Sequence, residues 1–249
     1  MKCSQLKKGF VFSFKFVIFI ILFLLVFFLL SYRTVPKAPS PCGKELECFS
    51  NTYTSKGKII IDPGHGGDDG GAVSANGDKE KDLCLDYSLF LGDILRSMGY
   101  EVILTRDTDL MLETPGAPTK KSGDVTARVK VANNNPEAFF VSIHMNKFPQ
   151  SKYSGLQVFY SKNHNKSELL ANRIQDRVVT DLQPWNNRLP KLSAGDIFVL
   201  DRITSPAVLI ECGFLSNEKE LMLLKSEEYR RQMCFIIAHA LDGVSVGQG

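Results

Sequence analysis

Short apolar runs alternate along this chain with longer amphipathic stretches, in an order that predicts a sheet covered by helices. Residues 58–62 contain three successive isoleucines and stop at Pro63-Gly64, which marks a strand entering a tight loop. Leu83, Tyr87, Phe90, Leu91, Ile94, Leu95 and Met98 recur at three- and four-residue spacing, so a helix is expected there, ended by Gly99. Residues 101–105 read as a strand, 124–133 as a helix, and the nearly all-apolar 138–143 as a strand covered on both faces. Further strands are expected at 156–160, 197–200 and 207–210, with helices at 167–182 and 218–241. This alternation predicts a single α/β domain: a mostly parallel, mixed and twisted sheet of about six strands with helices on both faces. In such sheets ligands collect beyond the carboxyl ends of the strands.

The N-terminal 33 residues follow a different pattern. An uncharged apolar run covers 16–30, and extending it back to Phe10 gives 21 residues that include Ser13 and Lys15. About 20 residues span a bilayer, and a lysine near the end of the run can snorkel. Lys2, Lys7, Lys8, Lys15 and Arg33 supply five positive charges with no acid, so the net charge of +3 leaves −2 for the remainder. Basic residues at that end keep it cytoplasmic and place the rest of the chain outside. Ser31-Tyr32-Arg33 offers no Ala-x-Ala signal, which favours an uncleaved anchor over a cleaved signal peptide. The expected organisation is therefore 1–33 anchor or signal, 34–56 proline-containing linker and 57–245 catalytic domain. A length of 249 residues with 44% apolar and 23% charged content suits one such domain with an appendage. Cys42 and Cys48 could close a small loop or stay as thiols, whereas Cys84, Cys212 and Cys234 fit as small buried residues. No Cys-x-x-Cys pair is present, which disfavours a thiolate metal site.

Four residues carry candidate chemistry: His65, Glu80, His144 and Glu211. Two imidazoles and a carboxylate fill three tetrahedral positions on zinc and leave the fourth to water. Singly, each has a plain structural reading. His65 after Pro63-Gly64 fits a turn, and Glu80, behind Asp78 as N-cap, fits a helix start where the dipole favours an acid. His144 ends a buried apolar run, as a satisfied core residue or a ligand. Glu211 ends another, and a buried carboxylate is costly without a partner such as a metal or its water. His164 and His239 read as surface residues.

Together, Asp62-Pro63-Gly64-His65-Gly66-Gly67, Glu80-Lys81-Asp82-Leu83, Ser142-Ile143-His144-Met145-Asn146 and Glu211-Cys212-Gly213-Phe214-Leu215-Ser216-Asn217 resemble the motifs of the zinc-dependent N-acetylmuramoyl-L-alanine amidases over about residues 56–242. The resemblance implies Zn²⁺ held by His65, Glu80 and His144, with Glu211 as catalytic carboxylate. It also implies peptidoglycan as substrate, cut between muramic acid and the stem peptide. Arg106 and Arg128 match family positions, where a structural salt bridge is at least as good a reading as substrate contact. Many relatives carry Asn-Arg-Gly-x-Lys where this chain has Asn187-Arg188-Leu189-Pro190-Lys191. With Leu182-Gln183-Pro184, Tyr153-Ser154-Gly155 and no wall-binding repeat, the chain looks like the germination-specific amidases of the spore cortex, which prepare muramic-δ-lactam. Trp185 could stack on a sugar ring or be a surface aromatic. The expected location is the outer face of the membrane in the forespore envelope. The expected partners are peptidoglycan and the membrane, with no nucleic acid. The alternatives are a vegetative amidase of cell separation, a catalytically silent wall-binding module, and another zinc hydrolase such as a carboxypeptidase.

Overall fold

Six strands build one sheet: β1 (Lys58–Pro63), β2 (Glu101–Leu104), β3 (Phe139–Asn146), β4 (Gln157–Tyr160), β5 (Lys191–Leu192) and β6 (Ala207–Phe214). Their order is β2-β1-β3-β6-β4-β5. The first four neighbours are parallel, β4 runs antiparallel to β6, and β5 is parallel to β4, so the sheet is mixed as expected. Helices α1 (Glu80–Ser97), α2 (Lys120–Asn133), α3 (Lys166–Asp181), α4 (Phe198–Arg202), α5 (Glu218–Lys225) and α6 (Glu227–Asp242) complete the domain. The computed structural model describes residues 18, 21–26 and 55–244, and the chain divides into two units at residues 51 and 52. In the first unit, residues 18 and 21–26 are helical and exposed. The rest of the expected anchor, with Cys42 and Cys48, lies outside the described residues, among which no helix is long and apolar enough to cross a membrane.

Because successive strand residues face opposite ways, the central strands feed two cores. Ile59, Ile61, Phe139, Val141, Ile143, Val208 and Ile210 face one side with Leu83, Tyr87 and Leu91 of α1, Ile174 of α3 and Met233 and Ile237 of α6. Ile60, Phe140, Ala207 and Leu209 face the other with Ala132 of α2 and Val199 and Leu200 of α4. Cys84, Cys212 and Cys234 are buried thiols of the larger core, as expected. Continuing the alternation puts Asp62, Ser142, His144 and Glu211 on the α2/α4 face, at the strands' carboxyl ends.

Four expectations require correction. The run 197–200, expected as a strand, turns into helix α4 at Phe198. An apolar run this short has no period that separates the two states, and here Val199 and Leu200 fill the smaller core from a helix. Asp78 does not cap α1: Lys79 is the N-cap and offers no side-chain bond, while Asp78 pairs with Ser74 and Lys225. The C-terminal helical stretch is two helices, because Ser226 leaves α5 in extended conformation and caps α6 through Tyr229 N. Helix α2 also starts earlier than residue 124, at a Thr119/Ser122 capping box.

Candidate metal centre

His65 leaves β1 in a left-handed backbone conformation, φ 58°, which is uncommon for a residue with a side chain. Two arginines hold the loop that imposes it. Arg106 donates from Nε to the Pro63 carbonyl at 3.1 Å and from Nη2 to that of Gly64 at 2.8 Å. Arg128 donates from Nη1 to Pro63 at 2.7 Å and from Nη2 to the His65 carbonyl at 2.6 Å. Both are buried; Arg128 forms the expected structural salt bridge, with Asp62 and Asp124, whereas Arg106 donates only to backbone carbonyls. Gly64 permits the packing: a Cβ there would lie 2.4 Å from Cε1 of His144. Gly71, at φ 66°, is equally confined, with Glu80 Oε2 and His65 Cδ2 both 2.7 Å from a Cβ placed on it.

Glu80 is the first residue of α1, and its carboxylate sits between the two histidines. Oε1 accepts from Met145 N at 3.1 Å and lies 2.9 Å from His144 Nδ1. Oε2 accepts from Ala72 N at 2.8 Å and lies 3.1 Å from His65 Nε2. One donor atom from each of His65, Glu80 and His144 lies within 4.8 Å of the others, an arrangement that could hold a metal ion. Burial opposes ionisation of Glu80, yet the bonds from His144 and His65 hold its carboxyl well below the usual range. Burial likewise disfavours a charged His65, but Glu80 and Asp69 outweigh it and raise the imidazole.

Asp69 was not among the residues singled out from sequence. Its Oδ2 lies 2.9 Å from His65 Nδ1 and 3.0 Å from Lys121 Nζ, and its Oδ1 accepts from Gly71 N at 3.1 Å. Burial pushes this carboxyl up, but the bonds to His65 and Lys121 prevail and bring it down to about 2. Such a carboxylate fixes the tautomer and ring plane of a ligating histidine. The available signal was an acid four residues beyond His65, in a turn dense in glycine.

His144 and Glu211 are paired in register on β3 and β6. Both strands run past these residues, to Asn146 and Phe214, so the two side chains rise from strand interiors near the sheet edge. Glu211 Oε2 is buried with no hydrogen-bond partner. Burial first, and then repulsion from Glu80, push its carboxyl up to about 7 against the pull of His144 and His65. A cavity of about 470 Å³ opens here, lined by Glu80, His144 and Glu211 together with Asn146, Lys147, Phe159, Asp196, Ile197 and Leu209. Of the remaining candidates, His239 is exposed, His164 is half-buried and Trp185 is 53% exposed.

The model of the N-acetylmuramoyl-L-alanine amidases, Amidase_3, matches residues 59–242, and the chain belongs to that family. It is accordingly an enzyme that hydrolyses the amide joining muramic acid to L-alanine in peptidoglycan. Over 180 residues it is 41% identical to the germination-specific N-acetylmuramoyl-L-alanine amidase of Bacillus subtilis (strain 168), covering 70% of this chain and 74% of that one. Its structure resembles the CwlD amidase from Clostridioides difficile, solved in complex with the GerS lipoprotein. Identity is 38%, TM-score 0.71, and coverage 75% of this chain and 97% of the other. Similarity to AmiC2 of Nostoc punctiforme is 30% in identity with a TM-score of 0.64, over 75% and 96% of the two chains.

Proposed function

We propose that the chain is a zinc amidase of the spore cortex, with His65, Glu80 and His144 as metal ligands and Glu211 as catalytic acid–base. The observation that carries the chemistry is the unpartnered Glu211 Oε2 beside the three-ligand cluster. Two imidazole nitrogens and one carboxylate oxygen suit zinc, which would supply Lewis acidity at the scissile carbonyl and lower the pKa of water. Asp69 holds His65 with Nε2 toward Glu80, and Glu80 keeps its carboxylate between the two rings. Glu211 takes a proton from the attacking water as the carbon–oxygen bond forms. It returns one to the nitrogen of L-alanine as the carbon–nitrogen bond breaks. A carboxyl near 7 can both accept and donate at neutral pH.

Similarity to a germination-specific amidase supports the cortex assignment, and the apolar, basic N-terminal segment supports an exported protein tethered to the membrane. Purified enzyme is expected to bind zinc, to release stem peptides with a free L-alanine amine, and to leave the lactyl carboxyl on muramic acid. His65→Ala and His144→Ala should lose both metal and turnover. Full zinc occupancy in both variants defeats the ligand assignment. Deleting the gene in a spore former should remove muramic-δ-lactam from the cortex, and unchanged lactam defeats the cortex role alone.

A further inference from the structure

Two cavities meet at the ligand cluster. A second one, of about 260 Å³, shares His65, His144, Asp196, Ile197 and Leu209 with the cavity beside Glu211. Their unshared residues come from different parts of the sheet. The first takes Glu211 from β6 and Phe159 from β4, whereas the second takes Asp62 from β1 and Lys121 and Val125 from α2. Because β3 stands between β1 and β6, one cavity spreads from His144 over β6 and β4, and the other over β1 toward α2.

Phe198 lines the second cavity and not the first. It is the first residue of α4 and is 42% exposed, although Val199 and Leu200 beside it fill the smaller core. The guanidinium of Arg202, one turn on, lies 4.9 Å from its ring centroid and fixes the ring by a cation–π contact. The core does not need this side chain, and a cavity receives it. Trp185, the aromatic that the sequence offered for sugar stacking, lines neither cavity.

The scissile amide joins a muramoyl acyl group, which carries an amino-sugar ring, to the nitrogen of L-alanine. The inference rests on the reading of Glu211 as proton donor to that nitrogen. On it, the leaving peptide occupies the cavity that contains Glu211. The acyl carbon stays at the ligand cluster, which leaves the second cavity to the sugar attached to it. We infer that Phe198 is the platform on which the muramoyl sugar ring stacks, and hence a specificity-determining residue. A pyranose carries C–H groups on its faces and polar groups around its edge. An exposed aromatic ring among apolar Val125 and Ile197, with Lys121 and Asp196 in the same lining, matches that pattern.

The test reads the split between KM and kcat on soluble peptidoglycan strands, with the full chain. A platform away from the reacting bond holds ground state and transition state equally, so its loss raises KM and spares kcat. Burying one ring face on Phe198 is worth about one or two methylene groups, so Phe198→Ala should raise KM roughly four- to fifteenfold. Its kcat and zinc content should stay at the wild-type level, and Phe198→Trp should restore KM. Trp185→Ala should change neither constant. A D-lactoyl-L-alanine peptide keeps the acyl group but lacks the ring, and wild type and Phe198→Ala should cleave it with equal kcat/KM. A wild-type KM on strands in Phe198→Ala overturns the assignment, as does an equal loss on the ringless peptide. A fall in kcat or zinc with KM unmoved marks a structural role and overturns it too. Failure of the Glu211 reading would instead show as full turnover by Glu211→Gln, whatever the KM of Phe198→Ala.

Discussion

Asp62 on β1 and Glu211 on β6 stand on the same face of the sheet, separated only by β3, and their surroundings are opposite. Asp62 is 1% exposed, and donors meet both of its oxygens. Thr105 Oγ1 and Arg128 Nη1 each donate to Oδ1 at 2.6 Å, and Ser142 Oγ donates to Oδ2 at 2.7 Å. Burial alone would raise its carboxyl, but the Arg128 charge with the Thr105 and Ser142 bonds holds it below the ordinary value. Glu211 is half-buried at the cavity, keeps its buried Oε2 unpartnered and rises to about 7. A buried acid with both oxygens answered is part of the scaffold. An acid left with a buried open oxygen beside a ligand cluster is held ready for a proton, at a cost to stability.

The scaffold half of this comparison breaks most severely at Arg128. Arg128→Met leaves Asp62 and Asp124 without their guanidinium, frees the His65 carbonyl and leaves that of Pro63 to Arg106 alone. A loss of about 3 to 5 kcal/mol in unfolding free energy is expected, as for a buried ion pair stripped of one partner. Zinc affinity should fall with it, because the left-handed His65 loses its anchor. Urea unfolding and metal competition measure both. A loss below about 1 kcal/mol would mean that the network does not bear on stability.

The Glu211 half should behave in the opposite way. Folding raises the Glu211 carboxyl from 4.5 to about 7, so the folded protein binds this proton more tightly than the unfolded chain does. Stability from this group is therefore full below about pH 4.5, falls as pH rises toward 7, and stays reduced above it. Glu211→Gln removes that dependence. In the presence of chelator the variant should be more stable than wild type by about 1 to 3 kcal/mol at pH 8, and the difference should close near pH 4. Urea midpoints at the two pH values decide, and a variant less stable at pH 8 would count against the comparison.

The central strands and the main helices were legible in the sequence, and so were the four residues His65, Glu80, His144 and Glu211 that the fold brings together. Triple isoleucine and the 138–143 run allow little besides buried strands, and His65, Glu80, His144 and Glu211 stand in unusual contexts next to such runs. What stayed hidden depended on tertiary partners. Asp62 read only as the last residue of a strand, although an acid directly after three buried isoleucines already called for a donor, and Arg128 lies 66 residues away. Asp69 acquires its role only when the turn folds back under His65. Helix α4 could not be told from a strand because its apolar residues are too few to show a period.

The division of labour between the ligand cluster and Glu211 is tested most directly by one variant under one set of conditions. Glu211→Gln, loaded with zinc at neutral pH, should retain the metal while its turnover of peptidoglycan falls by roughly 10²- to 10⁴-fold, the loss expected of a general acid–base. Metal content and released L-alanine amine should be read on the same preparation. Near-normal turnover with zinc bound would contradict the account and move the proton transfer to another group.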